Sequence, residues 1–305
     1  MRQLKNKTRQ PLVSIVMPVY NAGEFLLEAI KSLQDQTYQN WELIAVDDQS
    51  TDDSWQILKR LAQNDKRIKI YRNGKNGGVV RTANLALSKI KGQFVARMDA
   101  DDVSLSERLE KQVEFLQTNS DVVAVGGQCE LIDKNSEIIG EKHFPTEAQN
   151  IKKMMFYSIP LQQPTLMVNQ RLLPNDFVWY EDNFDVAEEV ELLFKFFQYG
   201  KVCNLPEPVL QYRLHNKNIS LQNPKHTFYL TFKSRLRAIF KYGYQPTIIG
   251  LLITLIQLIA VNLLPSQWIY PIYELIRGSK KIELTKVLKP LLLEVRTKRF
   301  SILRQ

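Results

Sequence analysis

The sequence predicts an α/β fold built on a mostly parallel sheet with helices on both faces, followed by C-terminal helices of a different character. Three observations predict it. Short apolar runs alternate with helix-spaced amphipathic runs from residue 12 to residue 102, the signature of βαβ units. Polar or acidic clusters follow successive apolar runs, where a parallel sheet opens its ligand crevice. From Pro246 to Tyr273 there is no charged residue. With 305 residues and 44 % hydrophobic content, the chain can build a substantial core and is not a disordered chain.

The elements follow in order. "LVSIVMPVY" reads as a buried strand ending near Pro18, and "EFLLEAIKSLQDQ" carries apolar residues at helical spacing. "WELIAVDD" and "DDSWQILKRLAQN" repeat the pair. "RIKIYR" is a third strand, "VVRTANLALSKI" a third helix and "QFVARMD" a fourth strand. Further on, "VVAVGGQCELI" and "PTLMVN" read as strands, and "DVAEEVELLFKFFQYG" as a helix stopped at Gly200. After His226, "FYLTFKSRLRAIFKYGY" is an amphipathic basic helix. There is no internal repeat. The divisions expected are a basic N-terminal arm at 1–10, an α/β domain at 11–225 and C-terminal helices with a basic tail at 226–305.

Charge and cysteine usage narrow the classes. The net charge of +9 is concentrated at the ends. Arg277 to Gln305 holds nine Lys and Arg against Glu283 and Glu294, and Arg2, Lys5, Lys7 and Arg9 lie at the other end. A basic tail can meet nucleic acid or anionic lipid. Its neighbour is an apolar segment without interleaved aromatics or a nucleic-acid motif, so nucleic acid is not expected as a partner. Cys129 and Cys203 lack metal-site spacing and do not form a disulfide framework, which fits a reducing compartment. No secretory leader is read at the N-terminus, and the α/β domain is expected to stay in the cytoplasm.

The stretch "ARMDADD" places Asp99, Asp101 and Asp102 within four residues. Like charges this close are costly unless water or a cation relieves them. Hard divalent cations take oxygen ligands, and Mg²⁺ is held by one or two carboxylates with substrate phosphates. Asp is also a favoured helix N-cap, so the cluster alone reads either way. Pro18, Tyr20 and Asn21 after the first strand, and Asp47 and Asp48 after the second, converge on the same edge. They too are residues of ordinary turns.

Taken together, "SIVMPVYN", "WELIAVDDQSTDDS", "NGKNGGVVRTAN", "GQFVARMDADDVSLSERLEKQVEFL" and "GKVCNLPEPVLQYRLHNKNIS" resemble the family 2 glycosyltransferases of the GT-A fold, a Rossmann-like architecture. The resemblance runs from about Pro11 to Ser220. It implies an inverting transferase that moves a sugar from a nucleoside diphosphate, by family habit a UDP-sugar, to an acceptor hydroxyl with Mg²⁺ or Mn²⁺. It implies Asp101 as direct metal ligand, Asp99 on metal or ribose, Asp102 in support, and His215 completing the metal or diphosphate site. Asp48 would recognise the base, with Pro18, Tyr20 and Asn21 lining the nucleoside pocket. Arg81, and secondarily Arg213, would reach the diphosphate. Gln162 to Gln170 resembles the acceptor-side strand.

The family's base lies in Ala-Glu-Asp-x-Asp-Leu. Here Ala187, Glu188 and Leu192 match, while Glu189 stands at the base position and Glu191 replaces the later Asp. Glu is a competent base with a similar pKa. Its extra methylene is the departure that also admits an alternative, a catalytically reduced sugar-nucleotide-binding regulatory module at the membrane.

Thr247 to Leu264 is uncharged, and as a helix it would be ~27 Å long. Thr247, Gly250, Thr254 and Gln257 form one narrow stripe on it. Basic residues flank both sides, which favours a segment lying in the cytoplasmic leaflet or a re-entrant hairpin turning near Pro265. A single span or a buried helix are the other arrangements. Attachment there would suit a glycan or polyprenyl-linked acceptor for cell-surface polysaccharide.

Overall fold

In a computed structural model of the chain, residues 10–181, 188–215 and 223–265, with Ile269, are described. The expected N-terminal arm up to residue 9, Asp185 to Ala187 of the acidic segment and the basic tail lie outside them.

The first half alternates strand and helix as the periodicity predicts. The elements are β1 (Val13–Val19), α1 (Leu26–Gln34), β2 (Trp41–Asp47), α2 (Ser54–Asn64), β3 (Ile68–Arg72), α3 (Gly78–Leu87) and β4 (Phe94–Arg97). Every residue of β2 and β4 is buried, because helices cover both faces of the sheet there. The strands lie side by side as β3-β2-β1-β4, all parallel. Val19 pairs with Asp47 and Val16 with Arg97, so the segments leaving β1, β2 and β4 emerge along one edge. Gly92 permits the close β1–β4 approach: a Cβ there would lie 2.6 Å from the Leu12 carbonyl oxygen and the Ser14 nitrogen.

The second half corrects the expectation of a mostly parallel sheet. It contributes β5 (Val103–Ser104), α4 (Arg108–Thr118), β6 (Val122–Ile132), β7 (Ile138–Lys142), α5 (Ala148–Met154), a 3-10 turn at Gln163–Thr165, β8 (Met167–Asn169), a second at Gln170–Leu172, α6 (Glu188–Phe196) and β9 (Lys201–Arg213). The order continues β4-β8-β6-β9-β5, with β7 also on β6. β4–β8, β6–β8, β6–β7 and β5–β9 are antiparallel, and β6–β9 is parallel. The sheet is therefore mixed. Of the antiparallel pairs, β6 and β7 are consecutive and joined by a short turn, a connection that only antiparallel strands can make. β9 contains Pro206 and Pro208, and the β6–β9 ladder shifts register around Gln128, opposite Pro208.

Two helices complete the described chain, α7 (Pro224–Tyr242) and α8 (Ile248–Leu263). Gly243, at φ 62°, ends α7 in the left-handed conformation glycine favours. Thr231, Ser234, Arg235 and Ala238 form the buried face of α7, and Arg235 donates to the Met155 carbonyl. On α8 the buried residues are Gly250, Thr254 and Val261. Thr254 Oγ1 donates to the Phe156 carbonyl at 2.8 Å and Gln257 Nε2 to the Tyr157 carbonyl at 2.9 Å. The polar stripe is thus the face that meets the protein. Among the described residues no helix is long and apolar enough to cross a membrane.

Candidate active site

The acidic loop leaves β4 between two buried arginines. Arg97, the last residue of β4, places Nη2 2.7 Å from Asp99 Oδ1. Arg108, 1 % exposed at the start of α4, donates from Nη2 to the Arg97 carbonyl at 2.8 Å. Burial lowers the Arg108 pKa to about 10, so it stays charged at neutral pH. Asp99, Asp101 and Asp102 each offer an oxygen, and these lie within 4.8 Å of one another. Asp102 is fully buried. Its Oδ1 accepts from the Arg213 backbone N–H at 2.9 Å, and its Oδ2 has no partner among the described residues. Burial, then repulsion by Asp101 and Asp99, raises the Asp102 pKa well above the ordinary value. Burial also raises Asp99, against the opposing Arg97 charge.

The end of β9 closes this loop from the far side. Pairing of β5 with β9 sets Val103 opposite Gln211, which delivers Arg213 and His215 to the acidic residues. His215 Nε2 lies 2.9 Å from Asp101 Oδ2, and its ring stacks on Phe25 with centroids 5.2 Å apart. Arg213 corrects its expected role at a phosphate. It is 1 % exposed, and its guanidinium donates to the Asp101 carbonyl, the Asp133 carbonyl, Ser136 Oγ and Glu28 Oε2. Those contacts make it a brace of the acidic loop.

The loops after β1 and β2 interlock beside it. Asn21, at φ 49°, takes the left-handed turn conformation that Asn tolerates, and its Oδ1 accepts from Thr51 N–H at 2.8 Å. Tyr20 is exposed and Pro18 half-buried. Asp47 is fully buried against Arg72, with Oδ2 2.8 Å from Nε. Asp48 is also buried: Oδ1 accepts from Gly77 N–H and Asn73 Nδ2, and Oδ2 from Gly78 N–H. It therefore pins the first turn of α3 to the sheet, and a carboxylate retains lone pairs for one more donor. Arg81, one turn into α3, is exposed.

The acidic helix completes the site. Glu188 is buried at the start of α6, and Gln163, which bonds the Tyr180 hydroxyl at 3.2 Å, also bonds Glu188. Glu189 is partly buried. Desolvation first, then repulsion by Glu188 and Asp99, raises its pKa from 4.5 to about 8. Arg97 acts electrostatically on Asp99, Tyr180 and Glu188, so it links the acidic loop to this helix. Glu191 points elsewhere: its carboxylate accepts from Tyr242 OH at 2.8 Å and Arg237 Nη1 at 3.1 Å, which ties α6 to α7. The Gln162–Gln170 segment runs through the 3-10 turn into β8, between β4 and β6.

Sequence reasoning missed Arg97. Its signal is an arginine ending an apolar strand directly before an acidic cluster. Asp99, Asp102, Glu188 and Glu189 thus share the field of the buried Arg97 guanidinium, with Asp101 and His215 paired beside them. Among the described residues these carboxyls outnumber the buried arginines around them, and Asp102 Oδ2 is orphaned. This hard, oxygen-rich donor set fits a divalent cation such as Mg²⁺ or Mn²⁺.

Known proteins resemble this chain in sequence and in fold. Residues 14–173 match the profile described as Glycosyl transferase family 2. An uncharacterized glycosyltransferase of Haemophilus influenzae is 32 % identical over 218 residues, 69 % of this chain and 68 % of that protein. The putative teichuronic acid biosynthesis glycosyltransferase TuaG of Bacillus subtilis is 31 % identical over 215 residues, 69 % of this chain and 82 % of that protein. Among solved structures, S. aureus TarS 1–349 in complex with UDP-GlcNAc superposes with a TM-score of 0.63 at 19 % identity, over 79 % of this chain and 70 % of that one. The mannosyltransferase PcManGT of Pyrobaculum calidifontis, in complex with GDP-Man and Mn²⁺, gives 0.57 at 14 % identity, over 89 % and 86 %. These two share the fold. With the profile covering more than half of its length, the chain belongs to glycosyl transferase family 2 and is a glycosyltransferase.

Proposed function

We propose that this chain is a metal-dependent inverting transferase that moves a sugar from a nucleoside-diphosphate sugar, a UDP-sugar, to the hydroxyl of a lipid-linked glycan. The observation that carries it is the clustering of Asp99, Asp101 and Asp102 with His215 beyond β4, with Glu188 and Glu189 of the acidic helix close enough to act on Asp99 and Arg97 electrostatically. The UDP-GlcNAc complex of TarS and the GDP-Man and Mn²⁺ complex of PcManGT support a nucleotide-sugar donor with a divalent metal. The name of TuaG supports a polysaccharide product.

In this reading Asp101, Asp99 and His215 hold Mg²⁺ or Mn²⁺, and Asp102 supports the loop from beneath. When bound there, such a cation would supply positive charge against the departing nucleoside diphosphate. Asp48, Pro18, Tyr20 and Asn21 receive the nucleoside, and Arg81 offers its cation to the diphosphate. Glu189 accepts the proton of the acceptor hydroxyl while that oxygen bonds to the anomeric carbon. The bond from that carbon to the diphosphate oxygen breaks, and its electron pair leaves with the nucleoside diphosphate. A base with pKa near the working pH suits this step. A pocket that tunes Glu189 so speaks for turnover and against the regulatory-module alternative. Residues 11–225 would form the transferase domain, working at the cytoplasmic face of the membrane.

The test is release of nucleoside diphosphate from a panel of UDP- and GDP-sugars, with Mn²⁺, Mg²⁺ or EDTA, in detergent with a short polyprenyl-diphosphate-linked acceptor. Metal-dependent release from one UDP-sugar is expected. Release unaffected by EDTA would sink the metal assignment, and donor binding without release for any acceptor would favour the regulatory module.

A further inference from the structure

The outer faces of α7 and α8 carry a run of exposed apolar side chains. On α8, Ile248, Ile249, Leu251, Leu252, Leu255 and Ile256 are exposed, at 46–78 % of their surface. The opposite stripe is already committed, since Thr254 and Gln257 donate to the carbonyls of Phe156 and Tyr157. The helix is therefore held against the protein by its polar side, with its apolar side outward. That is the reverse of a helix packed into a soluble core.

On α7, Tyr229, Lys233, Leu236 and Phe240 recur at helical spacing and are all exposed, Phe240 at 87 %. Tyr229 OH donates to Asn262 Oδ1 at 3.0 Å, which links the start of α7 to the end of α8. A contiguous exposed apolar surface of this kind marks an interaction site.

We infer that these outer stripes of α7 and α8 form an in-plane docking surface for an anionic lipid bilayer. Three observations select lipid. First, α8 has 16 residues and is ~24 Å long, short of the ~20 residues a span requires, and its inner hydrogen bonds oppose withdrawal from the protein. Second, the apolar stripe of α7 carries Lys233, and the sequence after α8 holds nine Lys and Arg from Arg277 on against Glu283 and Glu294, a charge complementary to anionic headgroups. Third, the helices that bear this surface are tied to the acidic helix of the site. Residues 156 and 157, which anchor α8, lie a few positions before Gln163, which bonds Glu188. Arg237 and Tyr242 of α7 hold Glu191 of the same helix. Docking would present the α6 side of the site toward a membrane-borne acceptor. The inference itself stands on the helices and not on the chemistry proposed for Glu189.

Flotation of the full chain with phosphatidylcholine vesicles, with and without phosphatidylglycerol, tests it. The wild type should float with the anionic vesicles, and less at high salt. Leu252→Glu with Ile256→Glu should lower the partition roughly tenfold or more. Phe240→Asp, on the other helix, should lower it as well, and Leu27→Glu, on α1, should not. Both α8 side chains are exposed, so the double variant should keep the wild-type circular dichroism, melting temperature and donor turnover in detergent. Wild type left unbound at every lipid composition, or a double variant that floats as well as wild type, would overturn the inference. So would a lipid-free wild-type dimer that the double variant splits, because a second copy would then cover this face.

Discussion

Replacing Glu189 by Gln should make the protein inactive and, at alkaline pH, more stable. In the folded protein burial and the neighbouring Glu188 raise the Glu189 pKa from 4.5 to about 8. Between those values the folded chain binds more protons than the unfolded chain, so stability falls as pH rises through this window. The gap corresponds to at most about 5 kcal/mol. Partial exposure of Glu189, and the sharing of the effect with Glu188, reduce the expected penalty to about 1–3 kcal/mol. Gln is neutral at every pH and close in size, so it lacks that penalty. Thermal unfolding of wild type and Glu189→Gln without donor would be compared at about pH 4, below the unfolded value, and at about pH 8.5. At the lower pH the two should melt together. At the higher pH the variant should melt about 2–6 °C above the wild type. An equal difference at both pH values, or a wild type more stable at the higher pH, would refute the claim that this carboxyl is held against its ionisation.

The pH dependence of kcat/KM should show an acid limb near pH 8, because Glu189 must be ionised to accept a proton, and Glu188→Gln should move that limb down by roughly one unit. A limb in the ordinary carboxylate range would contradict the raised pKa. Asp101→Asn should weaken metal-dependent UDP binding by calorimetry roughly 100-fold, since it removes one of three clustered carboxylates; an unchanged affinity would place the metal elsewhere. Arg213→Met should cost about 3–5 kcal/mol in denaturant unfolding, because it breaks a buried cation that bridges the acidic loop, Asp133 and Glu28. A loss below about 1 kcal/mol would return Arg213 to a solvent-facing, ligand-contacting role.

Much of this architecture can be read from residue patterns, and the physical reasons for the remainder are specific. The βαβ half is legible because β1, β2 and β4 are continuous apolar runs and α1 and α2 keep a clear helical period. The antiparallel additions are legible only in part: β6 and β8 fall in runs that read as strands, whereas β5 has two residues, too few for any periodicity, and β9 carries Pro206 and Pro208, which argue locally against a strand. Tertiary pairing with β6 overrides that local signal. In the site, the acidic cluster announces itself through its charge density. The backbone N–H of Arg213, 111 residues away, that satisfies Asp102 does not. Nor does the part Asp48 plays in fixing α3, because three of its donors come from a loop whose path only the fold defines. At the C-terminus the narrow polar stripe of Thr247, Gly250, Thr254 and Gln257 is visible in the sequence. That it faces the protein, leaving the apolar side out, depends on the carbonyls of Phe156 and Tyr157 that accept from it.

The most direct test of Glu189 as the base is turnover with its binding held fixed. Wild type, Glu189→Gln and Glu189→Asp would be compared for release of nucleoside diphosphate with saturating metal, donor and acceptor, alongside calorimetric donor affinity. Wild-type release, a loss of roughly 100-fold or more in the Gln variant with donor affinity unchanged, and measurable turnover in the Asp variant is the predicted result. A Gln variant that turns over like wild type would contradict the assignment, and the proton would have to leave by another carboxyl.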